Sequence, residues 1–444
     1  MSLPRYPGYK DSGIQWIGKV PSHWIRRTLQ DTARSGRNAF VDGPFGSDLK
    51  SEEYADDGVP LIQLNNVAIG KHDLTNLKFI PEKKADELAR HKAMPGDIVI
   101  AKMAAPVARA AIVSSDFEKF VIVADCVKLS VDASQWNANF LQYWINSSGV
   151  NAVAETLSAG ITRLRINLGS LKKLPVFHTS LPEQTAIATF LDRETGKIDA
   201  LIAEQEKLLA LLAEKRQATI SHAVTKGLNP DAPMKDSGVA WLGEVPEHWE
   251  TIRLGALFRE VSEPGNEELP VLSVSIHDGV SDKELDEMEM DRKVTRSDNR
   301  SKYKAVAPGD LTYNMMRAWQ GGFGTVLVEG MVSPAYVVAR PVREFSTSLI
   351  EQQLRTPTAV TEMKRHSRGI TDFRLRLYWD EFKTICVALP PKSEQDQIIS
   401  FIESESFRLS ALAEAANRSI ALLKERRAAL ITAAVTGKIS VMES

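Results

Sequence analysis

The sequence predicts an α+β chain made of two copies of one plan, each a globular α/β domain followed by a long helix, with the two helices paired as an antiparallel coiled coil. Three observations carry this reading. A block of residues returns about 225 positions later, short β-branched runs sit among Gly, Pro and Asn turns, and a heptad pattern occurs twice in one register.

The repeat is the strongest of the three. Lys10-Asp-Ser-Gly-Ile-Gln-Trp16-Ile-Gly-Lys-Val-Pro-Ser-His-Trp24 returns as Lys235-Asp-Ser-Gly-Val-Ala-Trp241-Leu-Gly-Glu-Val-Pro-Glu-His-Trp249, with ten of fifteen positions identical. Met94-Pro95-Gly96-Asp97-Ile98 is matched by Ala307-Pro308-Gly309-Asp310-Leu311, and Gly160-Ile-Thr-Arg-Leu-Arg165 by Gly369-Ile-Thr-Asp-Phe-Arg374. Glu183-Gln184 and Ala223-Val224-Thr225 recur as Glu394-Gln395 and Ala434-Val435-Thr436. The order is the same in both copies, so an internal pseudo-two-fold repeat is expected. The joint, Gly227-Leu-Asn-Pro-Asp-Ala-Pro233, is rich in turn formers, as a linker should be.

Within each copy the first part, about 20–175 and 245–388, carries Asp97-Ile-Val-Ile-Ala101, Val121-Ile-Val123, Val326-Leu-Val328 and Tyr336-Val-Val338 as candidate strands. The second part is a helix of about 35–40 residues, spanning roughly 50–60 Å, that opens at Pro182-Glu183 or Ser393-Glu394 with acid in its first turn. Leu191, Ile198, Gln205, Leu212 and Thr219 fall seven apart, with Leu201 and Leu208 assigned to the same stripe. Adding 211 gives Ile402, Leu409, Ala416, Leu423 and Leu430. Pairing the two stripes buries both and moves the globular domains to opposite ends.

Composition excludes several classes. The 444 residues are 43% hydrophobic and 25% charged, ordinary for a globular protein, and no run of eighteen apolar residues suggests a membrane span. The start lacks an apolar signal core, and the two cysteines, Cys126 and Cys386, stand in apolar surroundings where buried reduced thiols are expected, so the cytoplasm is the expected compartment. Net charge is −2: residues 1–175 hold 22 Lys+Arg against 18 Asp+Glu, and residues 229–390 hold 20 against 25. Any nucleic-acid binding must then come from local patches or be shared with partners.

Chemistry-bearing motifs are missing. Gly321-Gly322-Phe323-Gly324 lacks the Lys-Ser/Thr of a phosphate loop, and no Gly-x-Gly-x-x-Gly follows a strand. Asn229-Pro230-Asp231 lacks the second proline and the aromatic of adenine-methyltransferase motifs and sits in the linker. No metal-binding His or Cys pattern occurs, and His23 and His248 in the repeated His-Trp pair read as structural. We therefore expect a chain without a catalytic centre, metal or cofactor of its own.

With these blocks in view, the chain resembles the specificity subunits of Type I restriction–modification systems along nearly its full length. The resemblance rests on Trp-x-Gly-x-Val-Pro-x-His-Trp, the Pro-Gly-Asp strand, Gly-Ile-Thr-x-x-Arg, the Glu-Gln helix start and the Ala-Val-Thr helix exit, in that order, twice. It implies target-recognition domains at 1–178 and 229–390 and spacer helices at 179–228 and 391–444. It implies a bipartite, asymmetric site on double-stranded DNA. It also implies two adenine-N6 methyltransferase subunits as partners, restriction subunits with motor and nuclease, and no membrane.

Arg suits guanine, Asn and Gln suit adenine, and Lys and Ser suit phosphate. The candidate DNA-binding residues are thus Ser47, Lys50, Gln63, Asn65, Asn66, Lys102 and Arg109 in the first copy. In the second they are Asn299, Arg300, Lys302, Lys304, Asn314, Arg317 and Gln320. Arg165 and Arg374, shared by the copies, suit a structural or phosphate role. Two other classes stay open at this point: an adaptor that binds protein ligands, and a self-contained methyltransferase that would itself bind S-adenosylmethionine.

Overall fold

The computed structural model describes residues 4–442 apart from 45–47, 161–163, 267, 277–278, 285–301 and 370–374. The chain forms two compact units, Met1–Glu206 with Arg418–Ser444, and Lys207–Asn417. Each long helix therefore contributes to both units.

In the first unit an antiparallel sheet runs in the order Phe40–Asp42, Cys126–Leu129, Ile98–Ala101, Ala110–Ile112. Ile98–Ala101 is apolar throughout because both of its faces are covered. Ile98 and Ile100 join the main core with Trp24, Phe140 and Trp144, whereas Val99 and Ala101 join a second cluster with Phe120 and Ile122. A second sheet pairs Val59–Ile62 in parallel with Phe120–Ile122.

In the second unit an antiparallel sheet has the order Phe258–Val261, Tyr336–Pro341, Leu311–Asn314, Phe323–Thr325. Val337 and Ala339 enter its main core and Val338 a smaller cluster on the other face. The run Val326–Val328, read from the sequence as a strand, is not one. The strand ends at Thr325; Val326 donates only a loop hydrogen bond to the Asp310 carbonyl, and Leu327 is 65% exposed.

The helices span Leu181–Lys226 and Lys392–Val435, 46 and 44 residues, longer than the sequence suggested and each about 66–69 Å at 1.5 Å per residue. Side chains of the first turns, Glu183, Gln184 and Gln395, are buried. The chain leaves the helices near Gly227 and Gly437, whose φ of 79° and 69° suit a helix end. Ala434 and Val435 sit in the core of the first unit with Ile187 and Leu191. There Arg427 also reaches Asp199 at 2.8 and 3.1 Å, so the two helix segments run antiparallel. In the second unit Ala223 and Val224 share a core with Ile398 and Ile402, and Arg216 lies 3.5 Å from Ser410.

Leu191, Ile198 and Leu212 are buried as expected, and so are Ile402, Leu409 and Ala416. Leu201 and Leu208 are not: they are 51% and 41% exposed. Ile202 and Leu209, one residue further on, are half-buried instead. The contact stripe alternates steps of four and three, and after Ile198 and Gln205 the step is four, to Ile202 and Leu209, so Leu201 and Leu208 turn outward.

Cys126 is buried, and burial pushes its thiol up to about 12; Cys386 is half-buried rather than buried, and both are free thiols. Among the described residues no group of three His, Cys, Asp or Glu is arranged to hold a metal, and no helix is long and apolar enough to cross a membrane.

Candidate nucleic-acid interface

Each unit builds one hairpin from the Pro-Gly-Asp turn. In the first, the Asp97 carboxylate accepts the Met94 N–H at 2.9 Å, and the Val113 N–H returns to the Asp97 carbonyl at 2.8 Å. In the second, Asp310 accepts the Ala307 N–H at 2.9 Å, and the Val326 N–H returns to its carbonyl at 2.8 Å. Arg340 fastens Asp310 further through two bonds of 3.0 and 2.9 Å. Gly96 and Gly309 take φ of 87° and 92°, which the tight turn requires. The hairpin tips, 102–109 and 315–322, close these frames, and their exposed residues are Ala104 and Ala105 in the first and Met316 and Gln320 in the second.

The first-copy candidates divide into engaged and available groups. Asn66 is fully buried, donating to the Asp73 and Thr75 carbonyls at 2.9 and 3.1 Å and accepting the Gln63 N–H at 3.0 Å. Lys102 is 4% exposed and paired with Asp42 at 3.2 Å. Arg109 donates to the carbonyls of Val67 at 2.6 Å, Met103 at 2.9 Å and Leu64 at 2.9 Å, and burial draws its pKa below the ordinary arginine value. The donors of these three residues serve the fold. Gln63 and the exposed Asn65 line a cleft of about 340 Å³ with Tyr54 and Asp125. Arg165 is 49% exposed and pairs with Asp125 at 2.7 Å, while Lys50 is exposed. Ser47 lies outside the described residues.

In the second copy, Lys304 donates to the Tyr336 carbonyl at 2.7 Å, and the Asn314 side chain accepts the Met316 N–H at 3.0 Å, so both shape the local chain. Arg317 donates to Gln320 at 2.9 Å beside the exposed Met316; Gln320 and Lys302 are exposed. Asn299, Arg300 and Arg374 lie outside the described residues. Sequence reasoning missed Arg368 and Arg376, which line an open cleft of about 580 Å³ with Tyr378, Asp380 and Glu381. Arg368 pairs with Glu381 there. It also missed Lys364, which stands over the Trp319 ring at 5.2 Å. A cation–aromatic pair across a turn has no local sequence signal; its residues are 45 positions apart.

In the repeated motifs Trp24, Trp249, Glu183, Gln184 and Gln395 are buried, whereas His23 and His248 stand at the surface. Glu183 accepts the Trp24 indole N–H at 3.0 Å, meets His23 at 2.9 Å, and is also hydrogen-bonded by Thr179. Glu394 does the same for Trp249 at 3.1 Å and His248 at 2.7 Å. Gln184 and Gln395 accept the backbone N–H groups of Asn137 and Ser346 at 2.9 and 2.7 Å. His-Trp and Glu-Gln thus form a latch between the domain's first strap and its helix.

No family model matches the chain. The EcoKI specificity subunit of Escherichia coli K12 is 24% identical over 442 residues, covering 95% of this chain and 90% of that protein. A putative type I restriction enzyme MjaX specificity subunit from Methanocaldococcus jannaschii is 24% identical over 243 residues. That match covers 54% of this chain and 53% of the relative, about half the length of each. In fold, the HsdS subunit from Thermoanaerobacter tengcongensis matches with a TM-score of 0.54 at 14% identity, over 96% of this chain and 99% of that one. Fold and site together define a mixed helix–sheet chain with two long helices that pack against each other. By sequence and by fold, this chain is a relative of the Type I restriction-enzyme specificity subunits, as its repeated motifs led us to expect.

Proposed function

We propose that this chain is the DNA-specificity subunit of a Type I restriction–modification complex. In this reading it recognises a bipartite, asymmetric site, recruits two methyltransferase subunits and the restriction subunits, and does no chemistry itself. The observation that carries the reading is that the two units share one latch at the helix start, while the exposed polar residues near their loops differ. The latches at Glu183 and Glu394 match, whereas the exposed Asn65 and Lys50 of one unit have no likeness to Arg317, Gln320 and Lys364 of the other. A reader of two unlike half-sites needs one scaffold used twice and two sets of base contacts.

A second feature supports the partners. Leu201 and Leu412, and Leu211 and Leu422, are pairs 211 positions apart, and they are 51%, 47%, 52% and 65% exposed. Apolar side chains left in water at equal places on two helices suit two copies of one protein partner.

Modification-sensitive sequencing of DNA from cells that make the protein tests this. A methylated motif of two parts separated by a fixed gap is expected, and deleting the chain should abolish it. A motif that survives the deletion would sink the assignment.

A further inference from the structure

The two hairpin tips are built to one specification and filled differently. Each has eight residues, 102–109 and 315–322, between strands that leave the Pro-Gly-Asp turn in the same register. The Ala101 N–H closes the first on the Arg109 carbonyl at 2.9 Å, and the Asn314 N–H closes the second on the Gly322 carbonyl at 2.9 Å. The opening carbonyl of each is gripped from the same side: Ile166 donates to Lys102 at 3.0 Å, and Leu377 donates to Met315 at 2.9 Å. Ala108 and Gly321, at equivalent places, both have left-handed φ, 65° and 91°.

Inside this frame the side chains diverge. The exposed part of the first tip is small and apolar, Ala104 and Ala105. Ala104 is held at φ 69°, a conformation disfavoured for alanine. Arg109 imposes it by tying Met103 to the 64–67 segment. The second tip carries Arg317 linked to Gln320, with Met316 exposed. Beside each tip the structure sets one arginine. Arg165 bridges Ala159 and immediately precedes Ile166; Arg376 bridges Arg368 and immediately precedes Leu377. The counterpart of Arg165 is therefore Arg376, and not Arg374 as the shared Gly-Ile-Thr suggests, because the second copy has two more residues in this span.

From this we infer that 102–109 and 315–322 are equivalent base-reading loops, and that Arg165 and Arg376 each hold a DNA backbone phosphate beside them. The inference rests on the DNA-reader assignment above. A guanidinium shared by both copies suits the phosphate, which is the same in both half-sites. The varied tips suit the bases: Arg317 and Gln320 have the donors and acceptors for guanine and adenine edges, and an alanine tip fits a thymine methyl.

The test uses the protein in its own cells and the complex isolated from them. R317A combined with Q320A should relax one or two base positions in a single half-site of the methylated motif and leave the other half-site intact. R376A should keep every base of the motif, weaken binding to a duplex carrying it, and reduce the slope of log affinity against log salt by about 1. R376K should keep the slope, which separates loss of charge from misfolding. An unchanged motif in the double variant, or altered base identity in R376A, overturns the inference. Survival of the wild-type motif without the chain overturns the reader assignment instead.

Discussion

Glu183 shows how one side chain can fix a domain's boundary. Burial pushes its carboxyl upward, but hydrogen bonds from Thr179, His23 and Trp24 outweigh this and hold it below the usual carboxylate range. A carboxylate whose folded value is depressed stabilises fully above its unfolded value, about 4.3, and loses that contribution as pH falls through the folded value. Glu183→Gln should therefore cost about 2 kcal/mol at neutral pH, since it weakens the contacts of a buried charge. The difference in melting temperature between wild type and E183Q should shrink steadily below pH 4. A difference independent of pH would show that shape rather than charge makes the latch.

At the scale of the element, the long helices separate two kinds of leucine-like position that sequence spacing groups together. Ile198 is 5% exposed on the seam and Leu201 is 51% exposed three residues later. Ile198→Ala should destabilise by about 2–4 kcal/mol, through lost burial and a cavity at the helix contact. Leu201→Asp with Leu412→Asp should leave the melting midpoint within about 0.5 kcal/mol of wild type. The same pair should abolish co-purification with methyltransferase subunits. Normal co-purification would remove these leucines from the proposed docking faces. The salt link Arg427–Asp199 is exposed and contributes little beside the apolar seam.

For the whole molecule, the proposed function makes the helices of 46 and 44 residues a ruler between two half-sites. Inserting seven helix-forming residues after Gln205 and seven after Ala416 lengthens each helix by about 10.5 Å and turns its far end by only about 20°. The seam survives when both helices grow together, whereas extending one alone shears the pair. The added length corresponds to roughly three base pairs. The bases read should stay the same while the unspecified gap lengthens by about that number, as sequencing of methylated DNA would report. Methylation at the original spacing would show that the helices do not set the distance.

The sequence by itself determined the parts that rest on local pattern. The heptads announced both helices, and the repeat marked His23, Trp24 and Glu183 and their partners in the second copy as scaffold, which is where the latches lie. Side-chain type could not say which polar residues remain free, because that depends on carbonyls far along the chain. Asn66 and Arg109 look like base readers in isolation, yet backbone groups 7–9 and 42–45 positions away take up their donors. The pairing of Arg165 with Arg376 was likewise hidden, since a two-residue difference shifts the sequence match while the backbone hydrogen bonds to Lys102 and Met315 keep the register. Local periodicity follows from the geometry of helix and strand, and is legible residue by residue. The fate of a buried donor follows from what long-range folding brings beside it, and only the tertiary structure decided that.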